Sequence, residues 1–404
     1  MKKIVIMILL TLALAITLSA CDLSAIPFFS FGETPEENPE ENPEEKHTHT
    51  PGEKNIENEV CATCTADGSY DEVVYCTDTE CGEEISRENK KVSALAHTYL
   101  DGECSSCGWL EKYSWGLQYT STGDGKCAVS GIGNCTDKDI AISPISPAGE
   151  QVTAIADWAF FMAEFESISL PDGITSIGEW SFNGCISLES IEIPDGVTAI
   201  GANSFGNCIA LTAVILPESL TVIGEWAFNA CRGIESIDIP SGLTILGNSS
   251  FRDCSSLQSI VIPTGVTGIG EYTFWGCTSL SEVSLPDGLI SIGDSAFRNC
   301  ESLEELALPG GVRIIGIYAF SGCVNLASLA VAGNLVTLDE GTFWGCTALK
   351  SVSLPATLTR ISESAFKDCT PENIYFAGTE AEWVAIVVGN DNESLASATV
   401  HFAQ

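Results

Sequence analysis

The chain has 404 residues, of which 45% are hydrophobic and 18 are cysteine, and 55 acidic against 17 basic side chains give it a formal charge of −38. A phosphate backbone demands a basic face that no segment supplies, so nucleic acid is excluded as a partner. A protein crossing the membrane many times is excluded too, because the one long apolar run lies at the extreme N-terminus.

Lys2 and Lys3 precede an apolar stretch from Ile4 to Ile16, which leads into Leu18-Ser19-Ala20-Cys21. A basic start, an apolar middle and a small-residue end make residues 1–20 a signal peptide. Leu-Ser-Ala-Cys resembles the lipobox of bacterial lipoproteins, which implies cleavage before Cys21 and acylation there, anchoring the chain to the membrane. An ordinary secretory signal beside a chance cysteine is the alternative. Both place the remainder outside the cytoplasm.

Residues 21–60 carry a Pro-Glu-Glu-Asn pattern marked by Pro35, Pro39 and Pro43. Prolines and like charges bury no core, so the segment reads as an extended linker or stalk, about 100 Å long at polyproline rise. His47 and His49 within it read as solvated linker residues rather than a metal site.

Residues 61–112 form a cysteine-rich module: Cys61-x2-Cys64, Cys76-x4-Cys81, His97 and Cys104-x2-Cys107. Two thiolates two residues apart can grip one tetrahedral zinc, which gives a zinc-ribbon reading. Six cysteines in a short exported segment can equally make three disulfides, and both readings stay open. The strings NEVCATCTADGSYDEVVYC, CGEEISR and HTYLDGECSSCG resemble a small module of many clostridial surface proteins. In that pattern Cys-Gly-Glu-Glu closes a Cys-x2-Cys, so the four-residue spacing of Cys76 and Cys81 departs from it.

Residues 113–151 read as the N-terminal cap of a repeat array, with a hairpin turning at Gly123-Asp124-Gly125. Cys127 and Cys135 lie on and after this hairpin, and in an exported chain they are expected to bridge.

Residues 152–370 are governed by a period. Cys185 to Cys369 recur every 23 residues, Phe182 to Phe366 keep the same step, and Pro171 to Pro355 keep it with Ala332 as the one lapse. Such a period means a solenoid, each unit giving a short strand with inward Ile191 and Ile193, a Pro-Asp-Gly turn, a second apolar pair at Val197 and Ile200, and a corner Phe. These units resemble the leucine-rich repeats of BspA-like bacterial surface proteins. The resemblance implies a β-rich right-handed coil with end caps, and binding of extracellular protein or glycan partners in adhesion. Residues 371–404 resemble the family's closing segment, with a capping box at Thr379 and Glu382 opening a short helix and a last strand over 398–402.

The nine periodic cysteines occupy one inward position and read as packing residues. Only His401 lies beyond residue 98, so a Ser-His or Cys-His nucleophile is nearly excluded from the array, which points to a non-enzyme that requires no cofactor. Two surface stripes are the candidate binding sites. Strand alternation places Glu192, Ile215, Asp238, Val261 and Ser284 on an exposed concave stripe. Two residues before the corner Phe, Trp180, Trp226, Tyr272 and Tyr318 alternate with Asn203, Ser249, Ser295 and Gly341. Either this aromatic ladder stacks ligands, or each large ring simply needs a small neighbour. A cell-envelope scaffold binding the organism's own wall polymers is the alternative to adhesion.

Overall fold

The computed structural model describes residues 51–60, 68–76, 84–92, 99–100, 103–104, 112–331 and 333–403. The strands up to Val92 belong to one compact unit and those from Tyr99 onward to another.

The first unit holds a three-stranded antiparallel sheet of Pro51–Val60, Gly68–Cys76 and Glu84–Val92, in that order. Pro51–Val60 falls in the stretch expected to be linker, and its backbone instead pairs with Gly68–Cys76, Ile56 lying opposite Glu72. The physical reason is that proline stops at Pro51, so every later amide can donate to a ladder.

From residue 112 the second unit winds as a solenoid in which successive coils contribute to two parallel ladders. One ladder runs through three- and four-residue strands such as Ser167–Ser169, Ser190–Glu192 and Ala213–Ile215. The other runs through two-residue strands such as Ser176–Ile177, Ala199–Ile200 and Val222–Ile223. Partners such as Ile191 and Val214 face each other one repeat apart, so the sequence period becomes the pairing register.

The core is a set of stacked columns. Phe160 through Phe366 are fully buried, and neighbouring rings stack with centroids 5.1 to 5.9 Å apart. Each ring contributes about 1.5–3 kcal/mol by burial. A single coil cannot bury its own ring faces, so this stabilisation exists only in the stack.

At the corner, alternate amides donate to the next coil: Trp180 to the Ala202 carbonyl at 2.9 Å, Phe182 to Ser204 at 2.8 Å and Gly184 to Gly206 at 2.8 Å. Pointing these amides sideways requires left-handed backbone two residues before and two after each Phe, as at Trp180 (φ 57°) and Gly184 (φ 77°). The later position accordingly holds Gly, Asn or Asp in most coils, including Asn207, Asp253 and Gly276.

The caps match the sequence reading. Gln118–Gly123 and Lys126–Gly131 form the hairpin, and Asp124 and Gly125 both have positive φ, the signature of a type I′ turn. Lys126–Gly131 then starts one ladder by pairing with Gln151–Ile155. The other starts at Asp139–Ala141, where the Ser114 amide donates to the Ala141 carbonyl at 2.8 Å and the Ser114 hydroxyl accepts from the Ala141 amide at 3.0 Å. At the far end Thr379 caps the helix Glu380–Val384 in a reciprocal box: its hydroxyl accepts the Glu382 amide at 3.3 Å, and the Glu382 carboxylate accepts the Thr379 amide at 2.8 Å. The helix carries Trp383 against Phe376, and Thr399–Phe402 closes the sheet beside Asn373–Phe376. Among the described residues no helix is long and apolar enough to cross a membrane.

Candidate binding surface

Strand alternation turns Ile191, Ile260 and their equivalents inward and leaves the residue after each in solvent. Glu192, Ile215, Asp238, Val261 and Ser284 are all exposed, Ile215 by 58% and Val261 by 65%. Glu192 stands opposite Ile215 and Val261 opposite Ser284. Asp238 departs from the pattern, because its coil joins the ladder only through an isolated bridge between Ser236 and Ser259. The ladder beneath the column is therefore broken here, and it breaks again between Glu282–Ser284 and Glu305–Leu308, which leaves three stretches. A hollow of about 440 Å³ borders Ser169, Glu192 and Ile215, and one of about 410 Å³ borders Val261, Ser284 and Asp287.

Beyond Ser284 the column continues through Ala307, Ala330 and Ser353 to Tyr375 and His401, each pairing with the next from Ala307 onward. Tyr375 and His401 were not legible as members, because the spacing in the cap is no longer that of the repeat. They stack on one another with centroids 4.7 Å apart. Beside them lies a hollow of about 580 Å³.

The second stripe lies on the corner edge. Trp180, Trp226, Tyr272 and Tyr318 occupy the left-handed position before the Phe, with φ between 55° and 58°. The Tyr318 ring reaches over the following coil. A Cβ placed on Gly341 would stand 2.1 Å from the Tyr318 ring, and the Tyr318 hydroxyl donates to Glu340 at 2.6 Å. Small residues alternate with large ones here because each ring occupies its neighbour's space. Trp158 and Trp180 are the exception, stacked in adjacent coils at 4.8 Å. Trp158 belongs to the first full coil and stays half exposed, with Phe161 and Met162 forming an aromatic patch around it.

A companion column, one residue after each Phe, escaped the sequence reading. Arg252 lies between the rings of Trp226 (5.2 Å) and Trp275 (4.3 Å), Arg298 over Tyr318 (5.3 Å), and Lys367 over Trp344 (4.9 Å). In the three coils with serine two residues before the Phe, Ser249, Ser295 and Ser364, the residue after the Phe is a long cation, whereas Asn203 and Gly341 are accompanied by Gly206 and Trp344. The spacing from Phe to this column was visible; that its members meet aromatics of other coils was not.

The ladder cysteines are buried, and each thiol donates to the corner Phe carbonyl of the preceding coil, from Cys185 onto Phe160 at 3.0 Å to Cys369 onto Phe343 at 2.9 Å. Burial pushes the Cys254 thiol up to about 12 and raises Cys277 and Cys300 as well. Such thiols are neither nucleophiles nor metal ligands at neutral pH. Cys127 and Cys135 correct the expected bridge: both are free thiols. Cys127 points into the core beneath Gln151–Ile155, its sulfur 3.9 Å from the Glu150 carbonyl, while Cys135 sits half-buried past the hairpin.

Of the cysteine-rich module, Cys76 and Cys104 end the strands Gly68–Cys76 and Glu103–Cys104, while Cys61, Cys64, Cys81, Cys107 and His97 lie outside the described residues, as does Cys21. Among the described residues no cluster of His, Cys, Asp or Glu is arranged to hold a metal ion.

Two parallel ladders, a phenylalanine stack and capped ends define a leucine-rich-repeat solenoid. The sequence profile of the BspA type leucine-rich repeat region matches in six copies over residues 153–281 and 267–382, more than half of the chain, and the protein belongs to that family. A leucine-rich repeat protein from Bacteroides ovatus shares the fold, with 22% identity, 71% of this chain and 98% of that one covered, and a TM-score of 0.50. A leucine-rich cell surface protein from Faecalibacterium prausnitzii is 24% identical over 68% of this chain and 96% of its own, with a TM-score of 0.37. The leucine-rich repeat protein of T. pallidum is 29% identical over 52% and 88%, with a TM-score of 0.41. Among curated protein sequences none matches the chain.

Proposed function

We propose that the protein is a non-enzymatic display module of the bacterial cell surface, tethered by lipid on Cys21 and binding protein or glycan partners in adhesion along the strand face of its solenoid. The carrying observation is the exposed column from Ser169 to His401, smooth over most of its length, interrupted at Asp238, and bordered by three hollows. A long shallow face of this kind suits an extended partner better than a small reactant. Family membership supports the reading, since leucine-rich-repeat solenoids serve as binding scaffolds.

The test is twofold. Protease added to intact cells is expected to remove the solenoid, and the full chain is expected to retain a protein or glycan from a matrix panel at physiological salt. Retention that is lost on replacing Ile215 and Val261 together by Glu assigns it to the strand face. Protection from protease, with binding only to the organism's own wall polymers, would replace this reading with that of an envelope scaffold.

A further inference from the structure

The hollow at the C-terminal end of the strand face differs from the other two in its walls. Tyr375 stands 46% exposed, flat against His401, and His401 Nε2 donates to Asn373 Oδ1 at 2.9 Å, which fixes the pair as a rigid aromatic wall. Ala332 stands where the other coils of the array carry proline. Gly333, which lines the hollow, has φ 122°, and a Cβ on it would stand 2.4 Å from the Gly310 carbonyl. Ala356 and Ala377 line the hollow with no more than a methyl group each.

No Asp, Glu, Lys or Arg lines the space. Thr357 is already committed, its hydroxyl donating to the Leu335 carbonyl at 2.8 Å. The other polar side chains of the lining are Ser353, Tyr375 and His401, and the remaining side chains there are apolar, among them Val331, Leu354, Pro355, Phe376 and Phe402. An apolar ring needs only the aromatic wall and exclusion of water, and a volume of about 580 Å³ lies within the range of ligand sites. The surrounding surface sets the rest of the partner, because residues 113–404 carry 33 acidic and 9 basic side chains. That field attracts a cationic chain from a distance while the neutral cleft anchors it.

We propose that this cleft receives a single aromatic side chain from an extended, lysine- or arginine-rich polypeptide, with Tyr375 as the stacking surface. The proposal rests on the display reading above and names its ligand class. The probe is a twelve-residue lysine–serine peptide with one central Trp, compared by calorimetry on the full chain with the same peptide carrying central Ala, and with the neutral sugar maltohexaose. The Trp peptide is expected to bind at least tenfold more tightly than the Ala peptide. Ala356→Leu, which fills the cleft from an exposed turn, and Tyr375→Ser, which removes the wall, are each expected to abolish that difference with the melting temperature unchanged. Equal binding of both peptides, indifference to both variants, no binding, or tighter binding of the sugar lost in the same variants would each overturn the proposal. Failure of the two readings is distinguishable: a matrix ligand lost on replacing Ile215 and Val261 but kept by Ala356→Leu removes the cleft alone, whereas protease protection on cells removes display and leaves the peptide result standing.

Discussion

Cys254 donates its thiol hydrogen to the carbonyl oxygen of Phe228, one coil back, at 3.1 Å. That oxygen also accepts the Cys231 amide at 3.2 Å, so the thiol occupies its second lone pair. The cysteine column is thus a hydrogen-bonded ladder as well as a packed one, and it begins beside Ala163, which holds the same place in the first full coil.

Cys254→Ala removes both the sulfur and this bond at a fully buried site. It is expected to cost about 1–3 kcal/mol, read as a lower urea midpoint at unchanged slope. A cost near zero would show that neither the packing nor the bond matters there.

The thiols also set a pH limit. Burial raises Cys185, Cys231, Cys254, Cys277 and Cys300; at Cys369 hydrogen bonding to Cys346 comes first and burial second, and at Cys346 hydrogen bonding to Cys323 comes first, partly opposed by Cys369, with burial adding to the rise. A thiol whose folded value lies above its unfolded one keeps its proton in the fold after the unfolded chain has released it. The stability it contributes is therefore complete below about pH 8.5 and is lost as pH rises toward the folded value. Each such thiol removes about 1.4 kcal/mol per pH unit in that window. The melting temperature is expected to be flat from pH 6 to 8 and to fall steeply between pH 9 and 11. In the same experiment iodoacetamide at pH 8 is expected to spare these cysteines until guanidinium unfolds the solenoid, as read by mass spectrometry.

Gly341 and Tyr318 form a coupled pair. Gly341 has φ 59°, a conformation that Ser249, Ser295 and Ser364 adopt at the same position, so the backbone alone does not demand glycine. The Tyr318 ring does. Gly341→Ser is expected to cost about 1–3 kcal/mol with Tyr318 present and under about 1 kcal/mol in a Tyr318→Ser background. Equal costs in both backgrounds would remove the steric account of the alternating stripe.

Thr379→Ala removes both bonds of the Thr379 hydroxyl, from the Glu382 amide at 3.3 Å and to the Glu382 carboxylate at 2.9 Å, and leaves the bond from the residue 379 amide to that carboxylate. A loss of about 1 kcal/mol is expected. Because coils contact only their neighbours, it is expected as faster amide exchange over residues 380–403, with exchange around Phe228 unchanged.

The sequence by itself determined the solenoid, its register, the inward columns, the hairpin turning at Gly123-Asp124-Gly125 and the box at Thr379. Each is carried either by residues close in the chain or by a repeat that brings identical positions together, so periodicity substitutes for contact information. The tertiary structure alone decided what depends on unlike side chains meeting across coils. Arg252 lies between two tryptophans of neighbouring coils, and a cleft lies beside Tyr375 and His401. It also left Cys127 and Cys135 as separate thiols and interrupted the exposed column at Asp238. A period specifies which positions are stacked, but ring size and side-chain reach specify the surface, and these enter only when neighbouring coils are packed together.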